Sequence, residues 1–311
     1  MISRLLAAFA LVFVVTASCS AQEDDNAADL AAATANLPAT DIYLGALSVE
    51  SGVLTVSDLK VAVENPGYDN QPSFLPGEAA FYYTSEGESG KTDIWRYDID
   101  AGESLLIFSS PDVSEYSPKA APAGYGLSYI QENEAGDVTR VHVAPTIGGA
   151  GLAIVDFEPL GYYAWLNDGA RLGVFYRSEP PTLHLVDVMT GERQEIAGDI
   201  GRGLQPSPDA TGLYFTQADA EGIHQLMFLD AATETVSALL TLPEGVQDYA
   251  VLPTLEGVVA GSGAQLLYSA FDGKGNDWRV VADFTEQELG DISRVAVSDD
   301  GAWIAFVTTA E

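Results

Sequence analysis

Cationic side chains are scarce in this chain of 311 residues: Lys and Arg number 13 against 46 Asp and Glu, a formal net charge of −33. A surface of that sign repels phosphate backbones, which excludes nucleic acid as a partner and disfavours anionic membranes. The acidity fits solubility, in salty surroundings above all, or attraction of cations or of a basic partner. Cysteine is almost missing. Cys19 is the single thiol, so the rest of the chain holds no disulfide, thiolate metal site or thiol nucleophile. Histidine occurs three times, as His142, His184 and His224. No Gly-x-Ser-x-Gly elbow, phosphate-cradling glycine loop or Asp-x-Asp-x-Asp-Gly calcium loop is present. Gly148-Gly-Ala-Gly151 lies in a predicted turn with no helix after it and reads as a loop.

What the sequence does have begins with a targeting segment. Arg4 precedes an apolar run of 11 residues, Leu5 to Val15, too short to span a bilayer. Two processing routes fit the residues after that run. Thr16-Ala-Ser-Cys19 resembles a bacterial lipoprotein box, in which Cys19 would be lipidated and become the new N-terminus. Thr16 departs from the aliphatic residue usual at that place. Alternatively, Cys19-Ser-Ala21 offers small residues for an ordinary cut, leaving a soluble chain that starts at Gln22. Residues 1–21 are read as the signal peptide and residues 22–39, rich in Ala, Asp and Asn, as a flexible tether with a reach of ~60 Å. The expected location is the periplasm, with attachment to the outer membrane if Cys19 is lipidated; a lipid anchor is the only membrane contact expected.

The remaining chain repeats. Gly77, Gly124, Gly169, Gly212, Gly257 and Gly301 return at spacings of 47, 45, 43, 45 and 44 residues. Each sits between two short extended runs, as in Pro206-Ser-Pro-Asp-Ala-Thr-Gly212 followed by Leu213-Tyr-Phe-Thr216. A period near 45 built of short strands and Gly/Asp turns predicts the blades of a β-propeller. The 272 residues from Thr40 to Glu311 hold about six such periods. Within the first, Pro72–Leu75, Ala79–Ser85, Asp93–Asp98 and Ser104–Phe108 are the predicted strands. The last period supplies only two, Arg294–Ser298 and Ala302–Thr308, and the missing pair appears at the start as Asp41–Ala46 and Val53–Leu59. The fold class is therefore all-β, a six-bladed propeller over residues 40–311 whose termini share the sixth blade. Trp95, Trp165, Trp278 and Trp303 are expected in the core between sheets, with Trp303 fully buried.

Gln71-Pro-Ser-Phe-Leu-Pro-Gly77, Phe81-Tyr-Tyr-Thr-Ser85 and Asp93-Ile-Trp-Arg-Tyr-Asp98 resemble the WD40-like repeat of TolB-type propellers, with further matches at Pro206-Ser-Pro-Asp209 and Ser298-Asp-Asp-Gly301. The third and fifth periods, at Leu166-Asn-Asp-Gly169 and Pro253-Thr-Leu-Glu-Gly257, are degenerate. The resemblance covers residues 41–311 and implies the fold. TolB carries a separate α/β domain before its propeller; here a tether and two strands precede the first full blade, so TolB itself is not expected. TolB-like lyases hold a metal with histidines that converge on the channel. The three histidines here fall on or beside third strands, away from the axis, and read as surface or packing residues.

Propellers bind at the loops that lead into their innermost strands, around one mouth of the axial channel. Those loops hold Tyr68, Asp69, Glu115, Tyr116, Tyr162, Tyr163, Arg202, Asp248, Tyr249 and Asp291. A tyrosine beside a carboxylate recurs at Tyr68-Asp69, Glu115-Tyr116 and Asp248-Tyr249. Exposed, such tyrosines make a recognition surface for an envelope protein or peptide. Otherwise they pack between blades. The carboxylates could gather a Ca²⁺ ion, since hard cations take oxygen ligands; this is the one cofactor considered. The expected function is a non-enzymatic, monomeric binding or scaffolding module. The alternatives are a channel-site enzyme or sensor for a small molecule or carbohydrate, Ca²⁺-assisted, and a purely structural scaffold.

Overall fold

Short apolar strands separated by glycine and aspartate turns fold into antiparallel four-stranded sheets. The computed structural model describes residues 37–50, 52–124, 126–146, 149–166, 169–209, 211–271 and 277–310. Cys19, the signal peptide and the tether up to residue 36 lie outside the described residues, as do Gly148 and Asp272–Asn276.

Two strands open the described chain, β1 (Thr40–Glu50) and β2 (Val53–Val63). The first full blade is β3 (Asp69–Phe74), β4 (Ala80–Glu86), β5 (Thr92–Asp98) and β6 (Glu103–Phe108). The second is β7 (Ser114–Ala121), β8 (Gly126–Glu132), β9 (Thr139–Ala144) and β10 (Leu152–Ala153). The third is β11 (Leu160–Trp165), β12 (Arg171–Tyr176), β13 (Thr182–Asp187) and β14 (Arg193–Gly198). The fourth is β15 (Ile200–Pro206), β16 (Gly212–Ala218), β17 (His224–Asp230) and β18 (Thr235–Thr241). The fifth is β19 (Ala250–Val251), β20 (Gly257–Ser262), β21 (Gln265–Ala270) and β22 (Arg279–Asp283). The chain ends with β23 (Ile292–Val297) and β24 (Trp303–Thr309). These complete the sixth sheet, of order β2-β1-β24-β23, so the termini share a blade as the sequence predicts. The pairing of β1 with β24 runs without a break from Thr40↔Thr309 to Ala46↔Trp303.

Burial within a blade varies with strand position. In the first blade β4 is buried over six consecutive residues, β5 alternates, and β6 is mostly exposed. A second strand is covered on both faces by neighbouring blades, so its sequence reads as a continuous apolar run. The core is accordingly divided into six clusters, each filling one gap between adjacent blades. The sixth blade feeds two of them, Leu47 and Leu54 on one side, Ile42, Leu44 and Val63 on the other.

The periodic glycine serves two physical purposes. Gly77, Gly124, Gly169 and Gly301 have φ between 67° and 77°, the left-handed region that a side chain disfavours. At Gly212 and Gly257 a Cβ would instead stand 2.0 and 2.6 Å from the carbonyl oxygens of Leu229 and Ser269, so close strand packing requires the missing side chain. Tryptophan placement differs from expectation. Trp165 is buried and donates to Ser128 Oγ at 3.0 Å, but Trp95, Trp278 and Trp303 are half-buried. Trp303 begins β24 directly after a turn, at the rim of its sheet, where the ring leans against the cluster rather than entering it.

Phe306 is fully buried and stacks between Tyr43 at 5.7 Å and Phe284 at 5.1 Å. Phe306→Ala is expected to cost ~3–5 kcal/mol of unfolding free energy, read by denaturant titration. Deleting residues 37–63 should abolish the cooperative transition altogether; an unchanged melting temperature after that deletion would contradict ring closure by β1.

Candidate functional site in the axial channel

The six innermost strands, β3, β7, β11, β15, β19 and β23, surround the axis, and polar side chains tie several of them to the next. Gln71 Oε1 accepts from the Ser117 amide at 2.5 Å and from Thr84 Oγ1 at 2.9 Å. Gln205 accepts from the Val251 amide at 3.1 Å and donates to the Tyr249 carbonyl. Asp248 Oδ1 accepts from the Val295 amide at 3.1 Å. Gln71 and Ser117 themselves have φ of 58° and 53°, at irregularities in β3 and β7 that break the regular strand ladder.

Two cavities lie along the channel. The first, of about 410 Å³, opens on the face of the turns that leave the innermost strands, where Pro76, Pro206 and Pro253 form a rigid rim. The second, of about 430 Å³, opens on the opposite face between the fifth and sixth blades, where it meets Glu244 and Asp291. Arg202, Asp248, Arg294 and Val295 line both, so they form the waist between them.

Arg294 dominates that waist. From the sixth blade its guanidinium donates to Tyr162 Oη on the opposite, third blade at 3.0 Å, and it stands 3.6 Å from the Asp248 carboxylate. Burial opposes its charge, but the Tyr162 and Tyr68 phenols and Asp248 outweigh burial and hold Arg294 firmly protonated. Burial likewise opposes ionisation of Tyr162, yet Arg294 and Arg202 overcome it and lower the phenol. Arg202 donates to the Ser293 carbonyl at 2.6 Å, while its Nε is buried with no partner among the described residues. Lys119 also lines the first cavity. Its ammonium lies 5.9 Å from the centre of the Tyr163 ring. Burial and the charge of Arg294 push it down to about 8, against a smaller pull from Asp248.

The ten sequence-predicted residues divide. Tyr162, Tyr163, Arg202, Asp248 and Asp291 line one or both cavities; Tyr68, Asp69, Glu115, Tyr116 and Tyr249 line neither. Tyr68 is 7% exposed, with burial pushing its phenol up to about 12. Asp69 is buried beside Asn65, whose amide Nδ2 donates to it at 3.1 Å. Tyr249 is buried and donates to the Gly203 carbonyl at 3.3 Å; Tyr163 is buried and donates to Ser128 Oγ at 2.9 Å. These tyrosines pack between blades. The carboxylates weighed for Ca²⁺ are held apart, Asp69 on Asn65, Glu115 on Gln131 and Asp248 on Arg294. Among the described residues, no three His, Cys, Asp or Glu are grouped so as to hold a metal ion. The histidines fall on third strands, as expected.

Lys119, Arg294, Gln71 and Gln205 are channel residues absent from the sequence-based set. They sit inside innermost strands rather than in the loops before them. For Arg294 a signal existed: it opens the predicted strand Arg294–Ser298 and is one of 13 basic residues in the chain.

No protein-family profile and no curated protein matches the chain. Its shape is similar to solved propellers. A protein of Agrobacterium tumefaciens assigned as a TolB aligns with a TM-score of 0.69 at 16% identity, over 88% of this chain and 99% of that one. TolB of Acinetobacter baumannii aligns at 0.57 and 13% identity over 87% of this chain, which spans 64% of the TolB chain. A chain of a nidogen/laminin complex aligns at 0.63 and 14% identity, over 83% and 97%. At such identities the likeness concerns the fold.

Glu115 makes a solution test of this geometry. Its Oε1 accepts from Gln131 at 3.3 Å and its buried Oε2 has no partner among the described residues. Burial, with a smaller contribution from Asp93, raises the carboxyl from 4.5 to about 7. A folded-state pKa above the unfolded value favours the protonated fold, so this contribution is complete below about pH 4.5 and lost as pH rises through about 7. Burial raises Asp41, Asp69, Asp93 and Glu132 in the same direction. Burial lowers His142, His184 and His224, which act in the opposite direction over the same range, so the test is the difference between variants. Glu115→Gln is expected to gain up to ~3 kcal/mol relative to wild type as pH rises from about 4.5 to about 7. Equal pH dependence of unfolding in variant and wild type would contradict it.

Proposed function

We propose that this chain is an exported binding module that takes a segment of a partner protein into its axial channel. The observation behind the reading is the first cavity, about 410 Å³, within the size range of ligand pockets and ringed by rigid prolines. Its walls are fixed strands stitched by Gln71 and Gln205, so little ordering is needed on binding. The comparator from a nidogen/laminin complex and the TolB comparators lend support at the level of shape alone. Export is supported by the leader sequence, Arg4 and Leu5–Val15, with Cys19 placed for lipidation. A Ca²⁺-assisted channel enzyme or sensor is less well supported: Asp248 is engaged by Arg294, and Lys119 and Arg202 oppose a second cation.

Two experiments test this. A displayed random-peptide library panned on the protein should yield sequences that bind wild type and lose at least tenfold in affinity on Ala296→Trp, which sets an indole into the first cavity. Peptides indifferent to that plug, or none enriched at all, would overturn channel binding. Separately, cells fed labelled palmitate should label the protein through Cys19 and lose the label on Cys19→Ser. An unlabelled wild-type chain beginning at Gln22 would show the ordinary cleavage instead.

A further inference from the structure

The charge inside the ring has the opposite sign to the charge outside. Of 13 basic residues in a chain of net charge −33, three line the first cavity: Lys119, Arg202 and Arg294. They come from β7, β15 and β23, the innermost strands of alternate blades, and so approach the axis from three directions. Two carboxylates share the cavity. Asp248 is engaged by Arg294 and the Val295 amide, while Asp299 lies at the exposed rim and accepts from the Gly77 amide at 3.0 Å. Arg202 and Lys119 have no counter-charge bonded to them among the described residues. Arg202 gives one N–H to a backbone carbonyl and keeps Nε unpartnered. The Lys119 ammonium makes no hydrogen bond or ion pair with another described residue; it lies over the Tyr163 ring, within the fields of Arg294 and Asp248.

Placing unpaired cations inside a ring of protein is costly unless something completes them. Burial and then Arg294 work against the Lys119 charge, and the pull of Asp248 only partly offsets them. A packing role would be better served by an apolar side chain of similar length. Unpaired charge in a cleft marks a place where a partner of opposite charge is accommodated.

We propose that the segment received by the first cavity is acidic, with a carboxylate of the peptide seated on Lys119 while the guanidinium groups of Arg202 and Arg294 form the floor. The proposal deepens the peptide-binding reading and rests on it. Charge-assisted contacts of this kind are the strong ones, and a preformed cationic pocket binds without rearranging. Nonspecific electrostatics predicts the reverse preference, because a net charge of −33 attracts basic peptides and repels acidic ones. Preference for an acidic probe therefore reports the cavity.

The test titrates the full chain by calorimetry with a hexaglutamate peptide, a hexalysine peptide and citrate. Lys119→Met removes the charge and keeps the length of the side chain; Lys60→Met makes the same net-charge change at an exposed site on β2. The expected result is hexaglutamate binding that weakens at least tenfold in Lys119→Met, stays unchanged in Lys60→Met, and disappears with Ala296→Trp. Lys119→Met should melt no lower than wild type, since its charge opposes the fold, so lost binding cannot be laid to misfolding. Hexaglutamate binding that ignores Lys119, or stronger hexalysine binding blocked by Ala296→Trp, overturns the proposal while leaving a peptide channel. Citrate binding that depends on Lys119 with no hexaglutamate binding overturns the peptide reading itself and leaves an anion site for small carboxylates.

Discussion

The pairing of β1 with β24 is the constraint on which the other features depend. It joins residues 40–46 to residues 303–309 and turns a row of blades into a ring. Among the described residues, every buried apolar cluster lies between two blades. An open ring would leave both clusters beside the sixth blade unfinished, since Ile42, Leu44, Leu47 and Leu54 arrive on β1 and β2. Closure also pairs the edge of β24, which would otherwise stand open to strand addition. The channel depends on it equally. Arg294 reaches Tyr162 across the axis only because the sixth blade is fixed opposite the third.

That dependence explains what could and could not be read from sequence. Blade number, strand order and the shared blade are set by local patterns: a glycine every 45 residues or so, a buried second strand, a missing strand pair at one end and its counterpart at the other. One period tolerates two causes, a left-handed turn at Gly77 and a close carbonyl at Gly212, because both exclude a side chain at the same place in the blade. Site residues obey a different rule. Neighbouring residues need not share a fate there: Tyr162 and Tyr163 both line the first cavity, whereas of Asp248-Tyr249 only the acid does. Asp248 faces the channel and Tyr249 is buried; Glu115 is buried and Tyr116 half-covered. The doublets were legible as recurring features, but which member turns inward depends on the irregularities of each innermost strand, and these arise from contacts between blades. Lys119 reaches the cavity just beyond such an irregularity at Tyr116–Lys119, which no sequence periodicity marks.

The two signs of charge act over different distances. Acidic groups spread over the outside set a field that salt screens within ~10 Å. Cations within the ring act at contact range, where less water intervenes and screening is weaker. An acidic surface approaching as a whole meets repulsion and cannot pass the proline rim. A slender acidic segment crosses the outer repulsion once and then reaches Lys119, Arg202 and Arg294 at short range. The arrangement therefore discriminates by shape as well as by charge: of all anions, it favours those narrow enough to enter. Arg294, braced by Asp248 and Tyr162, keeps its charge in the waist whether or not a ligand is present. Lys119, with neither acid nor hydroxyl bonded to it among the described residues, is the group whose energetics change most when a carboxylate arrives. The ring thus holds one cation fixed by the fold and another left for the ligand to complete, and that difference separates the structural charge from the functional one.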